Sequence, residues 1–128
     1  MVCYDGSIES IRALKTANED AHLLGANIDV VNVITRDDRT DSVYITHYEE
    51  KLSKEIKNHI NIYENLISIR IFVSFLSPGE ELLQYCEDNE FDRIYIGVKK
   101  KSKLDKLFFG STAQQIILFS KCSVVAVK

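Results

Sequence analysis

Short runs of β-branched and aromatic residues alternate with longer amphipathic stretches, and this alternation limits the possible fold more than any other feature of the sequence. Three runs are internal, at Ile28–Ile34, Ile69–Phe75 and Arg93–Val98, while Met1–Tyr4 begins the chain and Ser123–Lys128 ends it. Runs of this length and composition are typical of buried strands. We therefore predict five strands.

Four amphipathic stretches separate the predicted strands. Ser7 is placed to cap the first helix, which we expect to end at Gly25. The second carries an apolar stripe over Tyr48–Ile67, with charged residues on the opposite face. Ser77–Glu80 has the spacing of a capping box with proline at the first helical position, which predicts the start of the third helix. The last helix is predicted over Ser111–Phe119.

Strict alternation of strands and helices with short connections predicts βαβ crossovers. A chain of 128 residues is long enough for one such domain and too short for two. Because crossovers of this kind are right-handed, we predict a single α/β domain over residues 1–128, with a five-stranded parallel sheet in order 3-2-1-4-5 and helices on both faces. Thr35–Ser42 is polar and shows neither the helical nor the strand spacing of apolar residues, which predicts a mobile surface loop near the strand ends.

Composition argues against several functional classes. Sixteen Lys and Arg against nineteen Asp and Glu give a net charge of −3, so we expect no nucleic-acid partner. No apolar stretch approaches the length of a membrane helix, and Asp5 follows Met1 closely, so we predict no membrane span, no signal peptide and a cytoplasmic location. The three cysteines form no CxxC pair and have no histidine at ligand spacing, which predicts reduced thiols rather than a disulfide framework or zinc site.

The segment Gly97–Ser111 follows a predicted strand and leads into the last predicted helix. Open parallel sheets bind ligands at the carboxyl ends of their strands, and a glycine-containing loop before a helix offers free N–H groups to an anion. Positive charge comes from Lys99, Lys100, Lys101, Lys103 and Lys106. Lysines also crowd exposed loops for solubility, and Gly110-Ser111 has the composition of a simple helix cap. The residues alone therefore leave an anion site and an exposed loop as alternatives.

The chain carries Asp5-Gly6-Ser7 after its first predicted strand, Ser77–Glu80 before the third predicted helix and Gly97–Ser111 before the last one. This arrangement resembles that of the universal stress protein family. The chain resembles this family over essentially its whole length. Nucleotide-binding members carry a glycine, two residues, a second glycine, nine residues, and then glycine followed by serine or threonine. Gly97 and Gly110-Ser111 keep that spacing, whereas Lys100 replaces the second glycine. Only Met1–Tyr4 precede Asp5, where the family has a longer first strand, so we expect a short central strand.

The resemblance implies a UspA-like domain with a Rossmann-like, adenine nucleotide alpha hydrolase-like fold. It implies ATP or a related adenine nucleotide as ligand, which Mg²⁺ could accompany. Asp5 and Val33 would lie near the ribose and adenine, and Ile96 would border the base. The residues expected near the phosphates are Gly97, Lys100, Gly110, Ser111 and Thr112. The Lys100 ammonium can meet a phosphate as a point charge, but its Cβ prevents the close backbone approach that glycine permits.

The resemblance also implies a homodimer that pairs through the last strand, Val124–Val127, and a role as a stress-response sensor or regulator. An apolar edge strand favours such pairing, because a two-fold partner covers it. The alternative is a family member that binds no nucleotide and acts through dimerisation and protein partners.

Other phosphate-binding folds fit less well. A receiver domain needs paired acids after its first strand, an ATP pyrophosphatase needs a glycine pair and aspartate in its loop, and a flavodoxin needs a hydroxyl-rich phosphate loop. None of His22, His47 and His59 follows a predicted strand, so no catalytic set can be named. We leave enzymatic activity open and expect at most slow ATP hydrolysis.

Overall fold

A computed structural model of the chain describes residues 1–37, 41–60, 67–99 and 109–128. Strands and helices alternate along these ranges, as the sequence predicts. The elements are β1 (Val2–Cys3), α1 (Ile8–Leu24), β2 (Ile28–Thr35), α2 (Ser42–His59), β3 (Ile67–Ser74), α3 (Pro78–Asp88), β4 (Arg93–Gly97), α4 (Ser111–Phe119) and β5 (Ser123–Val127).

The strands form one parallel sheet in the order β3-β2-β1-β4-β5, which confirms the predicted topology. The central strand, β1, is short, also as expected. Val2 pairs with Val30 of β2 on one side and with Tyr95 of β4 on the other. The carboxyl ends of β1, β2 and β4 consequently meet at one edge of the sheet.

Helices cover both faces of the sheet. On one face, Leu14 of α1 and Ile56 of α2 are fully buried against β1 and β2. On the other, Leu82 of α3 and Ile116 of α4 are buried in a second cluster. Each helix thus presents an apolar stripe to the sheet, and the sheet separates two hydrophobic cores.

Two predicted boundaries are wrong around the third strand. Ile67 was expected at the end of the second helical stripe, but α2 ends at His59 and Ile67 is the first residue of β3. Pairing with β2 explains the difference, because Ile67 lies opposite Ile28 and the two strands keep this register to their ends. Phe75, predicted within the strand, lies beyond its end and is exposed.

The polar segment predicted as a loop is also shorter than expected. Thr35 is the last residue of β2, and Ser42 is the first residue of α2, which Asp41 caps. Residues 38–40 of this segment lie outside the described ranges. In the part of the chain that the structure describes, no helix is both long and apolar enough to cross a membrane.

Candidate functional site

A cavity of about 300 Å³ opens at the carboxyl edge of the sheet, where three helices begin. It is bounded by the ends of β1, β2 and β4 and by the first turns of α1, α3 and α4. The predicted site residues within the described ranges all line it: Asp5, Val33, Ile96, Gly97, Gly110, Ser111 and Thr112. Lys100 lies outside those ranges. The fold thus brings together residues that are up to about a hundred positions apart in sequence.

The start of α1 is organised by the side chain of Asp5. Gly6 has φ +77°, a conformation that favours glycine and turns the chain from β1 into the helix. Oδ1 of Asp5 accepts hydrogen bonds from the backbone N–H of Ser7 (3.0 Å) and from its hydroxyl (2.5 Å). Oγ of Ser7 in turn accepts from the backbone N–H of Ser10 at 3.2 Å and caps the helix. Asp5 therefore has a structural role at the helix start as well as a place in the cavity wall.

The carboxyl group of Asp5 is held in its charged form. Burial alone would raise its pKa, but hydrogen bonds from Ser7 and Ser10 and the positive charge of Lys99 outweigh burial, so the pKa lies below its ordinary value. One wall of the cavity therefore carries a carboxylate at neutral pH. A carboxylate accepts hydrogen bonds from hydroxyl groups and repels anions.

The start of α4 forms an electropositive part of the cavity lining. Gly110 is the N-cap residue, and within the described ranges no side chain caps this helix. The N–H groups of the first helical turn have no partner within the helix, and Ser111, Thr112 and Ala113, which lie in this turn, line the cavity. Lys99 also lines it. Free N–H groups, the helix dipole and a lysine together favour an anion at this wall.

The other two helices that begin at the cavity are already capped. Ser7 caps α1, and Ser77 and Glu80 of α3 form the complete capping box that the sequence predicts. The Glu80 carboxylate accepts from the Ser77 backbone N–H at 2.9 Å. Among the residues that the structure describes, side chains therefore close the starts of α1 and α3 but not the start of α4.

The floor of the cavity between these walls is mainly apolar. Val31 and Val33 of β2 and Ile96 of β4 contribute aliphatic surface, and Pro78 and Leu82 of α3 cover the other side. Small-molecule sites commonly combine such a surface with a few polar groups. The arrangement can therefore hold a ligand with an apolar body, hydroxyl groups and an anionic end.

Several cavity residues were missed by the sequence analysis, namely Tyr4, Ser10, Pro78 and Leu82. The capping box did mark the start of α3, and the predicted topology places that start at the carboxyl edge of the sheet. The signal for Pro78 was therefore present in the sequence. Tyr4 and Ser10 carry no such signal, because their positions depend on how α1 packs against the sheet.

The described residues offer no ready site for a resident metal ion. They contain no group of three or more His, Cys, Asp or Glu side chains that could hold one. Asp5 is a carboxylate in the cavity wall, and its Oδ1 accepts the hydrogen bonds of Ser7. Since Mg²⁺ usually binds through one or two carboxylates and the phosphates of a ligand, this site fits Mg²⁺ only as a companion of a bound phosphate.

Comparisons with known proteins agree with this architecture. A universal stress protein of Thermus aquaticus, from the QAH/OAS sulfhydrylase 3′ region, is 25% identical over 134 residues, which cover 100% of this chain and 96% of that protein. A universal stress protein structure from Archaeoglobus fulgidus is 27% identical and superposes with a TM-score of 0.77, covering 98% of this chain and 95% of that one.

Two further solved structures contain a nucleotide. One is the universal stress protein from Archaeoglobus fulgidus in complex with dAMP, with 23% identity, a TM-score of 0.73 and coverage of 98% of this chain and 94% of that one. The other is a universal stress protein in complex with cAMP, with 19% identity, a TM-score of 0.73 and coverage of 99% and 94%. At these identities the likeness shows a shared fold. The family model described as "Universal stress protein family" matches residues 1–128, and the chain therefore belongs to the universal stress protein family.

Proposed function

We propose that this protein binds an adenine nucleotide in the cavity at the carboxyl edge of the sheet and acts as a stress-response sensor or regulator. The observation that carries the proposal is the convergence of Asp5, Val33, Gly97 and Gly110-Ser111 on one cavity. The dAMP and cAMP complexes of proteins with the same fold support the choice of ligand.

The electropositive wall fits the phosphates of such a ligand. The uncapped first turn of α4 offers backbone N–H groups, and Lys99 adds a positive charge to the same cavity. A Cβ atom added to Gly110 would meet nothing within 4 Å, so there is open space beside this helix start. A phosphate group can approach the backbone there.

The rest of the cavity lining fits the nucleoside. The ionised carboxylate of Asp5 can accept hydrogen bonds from ribose hydroxyls, and Val33 and Ile96 provide apolar surface for the base. A cavity of about 300 Å³ is at the small end of the range for ligand sites, which favours a mononucleotide.

We further propose that ATP, ADP and AMP are turned over slowly or not at all. The described cavity residues include no histidine, and the one carboxylate among them, Asp5, is engaged at the start of α1. A general base must reach the attacking water with a suitably placed lone pair. A protein that binds without rapid turnover can report nucleotide concentration to its partners.

The homodimer remains part of the proposal. β5 is an edge strand of the sheet, and in it Ala126 is exposed while Val124, Val125 and Val127 are half-buried. Leu118 and Phe119 of the preceding helix are also exposed. An open strand edge beside exposed apolar side chains favours a second copy of the chain as its partner.

Nucleotide binding is best tested at Gly110, where φ is −58° and we expect a substitution to leave the fold intact. Gly110→Asp places a carboxylate at the N-cap, where it both repels phosphate and occupies the helix N–H groups. Gly110→Asn is the matched control, since asparagine caps the helix equally well without the charge. Binding of AMP, ADP and ATP should be measured by calorimetry, together with nucleotide released on denaturing freshly purified protein.

We expect wild type to bind, Gly110→Asn to bind more weakly, and Gly110→Asp to lose a further factor of about ten or more, with all three folded. If Gly110→Asp still binds nucleotide as tightly as wild type, the nucleotide site lies elsewhere on the protein. Absence of both released nucleotide and heat at millimolar ATP in wild type would favour the alternative, a member that acts through dimerisation alone. Lys100, in place of the family's second glycine, is the sequence feature that favours this alternative.

A further inference from the structure

Two cysteine side chains lie in contact on the face of the sheet that α3 and α4 cover. The Sγ atoms of Cys86 and Cys122 are 3.6 Å apart, although the residues are 36 positions apart in sequence. Cys86 is in the last turn of α3 and is buried, whereas Cys122 directly precedes β5 and is half-buried. Both thiols are free. The pair lies at the ends of α3 and α4 that point away from the cavity.

Neighbouring contacts hold the same two segments together. Lys121 Nζ and Glu87 Oε1 form an ion pair at 2.9 Å, one residue from each cysteine. Oγ of Ser120 accepts the backbone N–H of Cys122 at 3.3 Å and lies 3.4 Å from its sulfur. Ser120 thus holds Cys122 in place, and Cys86 reaches the Cys122 side chain from α3.

We propose that Cys86 and Cys122 form a reversible disulfide when the protein meets a hydroperoxide. A disulfide requires the sulfur atoms to approach to about 2.05 Å, so from the observed 3.6 Å they must move together by roughly 1.5 Å as the bond forms. This site is separate from the proposed nucleotide site, because none of the cavity residues belongs to the pair.

The reaction has two balanced steps. The Cys122 thiolate attacks the terminal peroxide oxygen, the O–O bond breaks, and Cys122 becomes a sulfenic acid. The leaving group is hydroxide from hydrogen peroxide or an alkoxide from an organic hydroperoxide, and it takes up a proton to give water or an alcohol. Cys86 then attacks the sulfenic sulfur, the S–O bond breaks, and a water molecule leaves as the S–S bond forms. Two thiols are oxidised and one peroxide is reduced. A dithiol reverses the reaction and leaves as its own cyclic disulfide.

The environments of the two thiols suit this order. Burial, and then the hydrogen bond and charge of Cys122, raise the pKa of Cys86 to about 11, so Cys86 is protonated at neutral pH and is the poorer nucleophile toward peroxide. Cys122 is the more exposed of the two and can meet peroxide first. The third cysteine, Cys3, is buried in β1, and burial raises its pKa to about 12. Cys3 is therefore the matched control.

The test uses the full chain. Reduced wild-type protein is treated with a small molar excess of hydrogen peroxide, alkylated with iodoacetamide and mapped by peptide mass spectrometry. Before alkylation we expect an intact mass lower by two hydrogen atoms than that of the reduced protein. After alkylation and digestion we expect a linked peptide pair containing Cys86 and Cys122, and dithiothreitol should reverse the link fully. Cys122→Ser should give no internal disulfide, and Cys3→Ser should give the same disulfide as wild type.

Thermal unfolding provides a second measurement. Closing so long a loop should raise the melting temperature of oxidised wild type by about 10 °C over the reduced protein, and peroxide should not raise that of Cys122→Ser. A disulfide that involves Cys3, a link between two chains, or oxidation to sulfinic acid without linkage would each overturn the proposal. Failure of nucleotide to bind would leave this result unaffected, because the assay contains no nucleotide.

Discussion

The backbone of Gly97 packs so closely against Ser10 that a Cβ atom on the glycine would lie 2.5 Å from the Ser10 backbone nitrogen. This contact joins the end of β4 to the first turn of α1. Only a residue without a side chain allows the two backbones to approach in this way. Gly97 is therefore required by the packing of the fold, whether or not a ligand binds beside it.

Substitution of Gly97 should reduce stability. We expect Gly97→Ala to lower the free energy of unfolding by about 1–3 kcal/mol, because backbone atoms cannot move aside as a flexible side chain can. Urea denaturation measures the change. Gly110→Ser is the control and should cause no loss, since an added Cβ there meets nothing within 4 Å. Equal losses in both variants would contradict the packing role assigned to Gly97.

A buried hydrogen bond should make stability fall in alkaline solution. The Tyr4 hydroxyl donates to Oε1 of Glu55 at 2.6 Å and ties the end of β1 to α2. Burial, then the hydrogen bond and charge of Glu55, raise the pKa of Tyr4 above its ordinary value. The folded state therefore binds the phenolic proton more tightly than the unfolded chain, whose tyrosines titrate near pH 10. This contribution is complete below about pH 10 and is lost as the pH rises further.

Tyr4→Phe isolates that contribution. We expect it to lower the free energy of unfolding at pH 7 by about 1–2 kcal/mol, and the difference from wild type should shrink above about pH 10. Urea denaturation at several pH values gives both quantities. Tyr85, whose pKa is raised to about 12 by burial and by its hydrogen bond to Asp29, remains in both proteins and serves as an internal reference. A difference that does not change with pH would argue against the Tyr4 assignment.

Asp29 should contribute stability that is lost in acid. Its carboxylate accepts hydrogen bonds from Ser68 and Arg70 of β3 and from Tyr85 of α3, the latter two at 2.9 and 2.7 Å. Burial would raise the pKa of Asp29, but these hydrogen bonds and the charge of Arg70 lower it below its ordinary value. The stabilisation is therefore present above about pH 4 and decreases as the pH falls through the lowered pKa.

We expect Asp29→Asn to lower the free energy of unfolding at pH 7 by about 1–2 kcal/mol and to flatten its decrease in acid. The Arg70 side chain is half-exposed, so solvent screens part of its attraction. Glu87→Gln is a suitable control, because it removes an exposed ion pair with Lys121 and should change stability by less than about 0.5 kcal/mol. Identical acid profiles for wild type and Asp29→Asn would refute this role.

The proposed dimer can be tested at the outer edge of β5. The Val127 carbonyl accepts a hydrogen bond from the Val98 N–H. The backbone N–H and C=O groups of Val125 and Val127 therefore point toward β4, while the backbone N–H of Ala126 points away from the sheet. Ala126→Pro removes this outward donor and should convert the dimer to a monomer without loss of the sheet. Val125→Pro, the control, should unfold the edge because it removes a donor to β4. Sedimentation at micromolar concentration measures the oligomeric state of wild type and both variants. If wild type is a monomer under these conditions, the proposed dimer is wrong.

The overall fold could be predicted because most helices and strands have signals in their own local sequence. Ser7 and Ser77 mark helix starts by capping chemistry, and the apolar runs that became β2 and β4 have the length of buried strands. The boundary at Ile67 could not be predicted, since an isoleucine suits both a helical stripe and a strand. Its place is decided by pairing with Ile28, a residue 39 positions earlier.

The site was predictable in part. Glycines and lysines between β4 and α4 indicate an anion site, and the topology brings Asp5 and Val33 to the same edge. What the sequence does not reveal is how individual side chains are used. Two examples are the hydrogen bonds of Asp5 at the start of α1 and the contact between Cys86 and Cys122. Both depend on the exact distances between packed helices and strands, which the sequence pattern does not give.

Because the three helix starts at the cavity are capped unequally, only one part of the cavity lining that the structure describes attracts an anionic group. Two of those starts, at Ser7 and Ser77, are closed by side chains of the protein itself, while the one at Gly110 is open. A molecule that is charged at one end and neutral at the other would consequently have a single favourable orientation, decided before any shape-specific contact forms. The caps thus determine which way a ligand with one anionic end lies in the cavity, and a side chain that capped α4 would remove this preference together with the anion site.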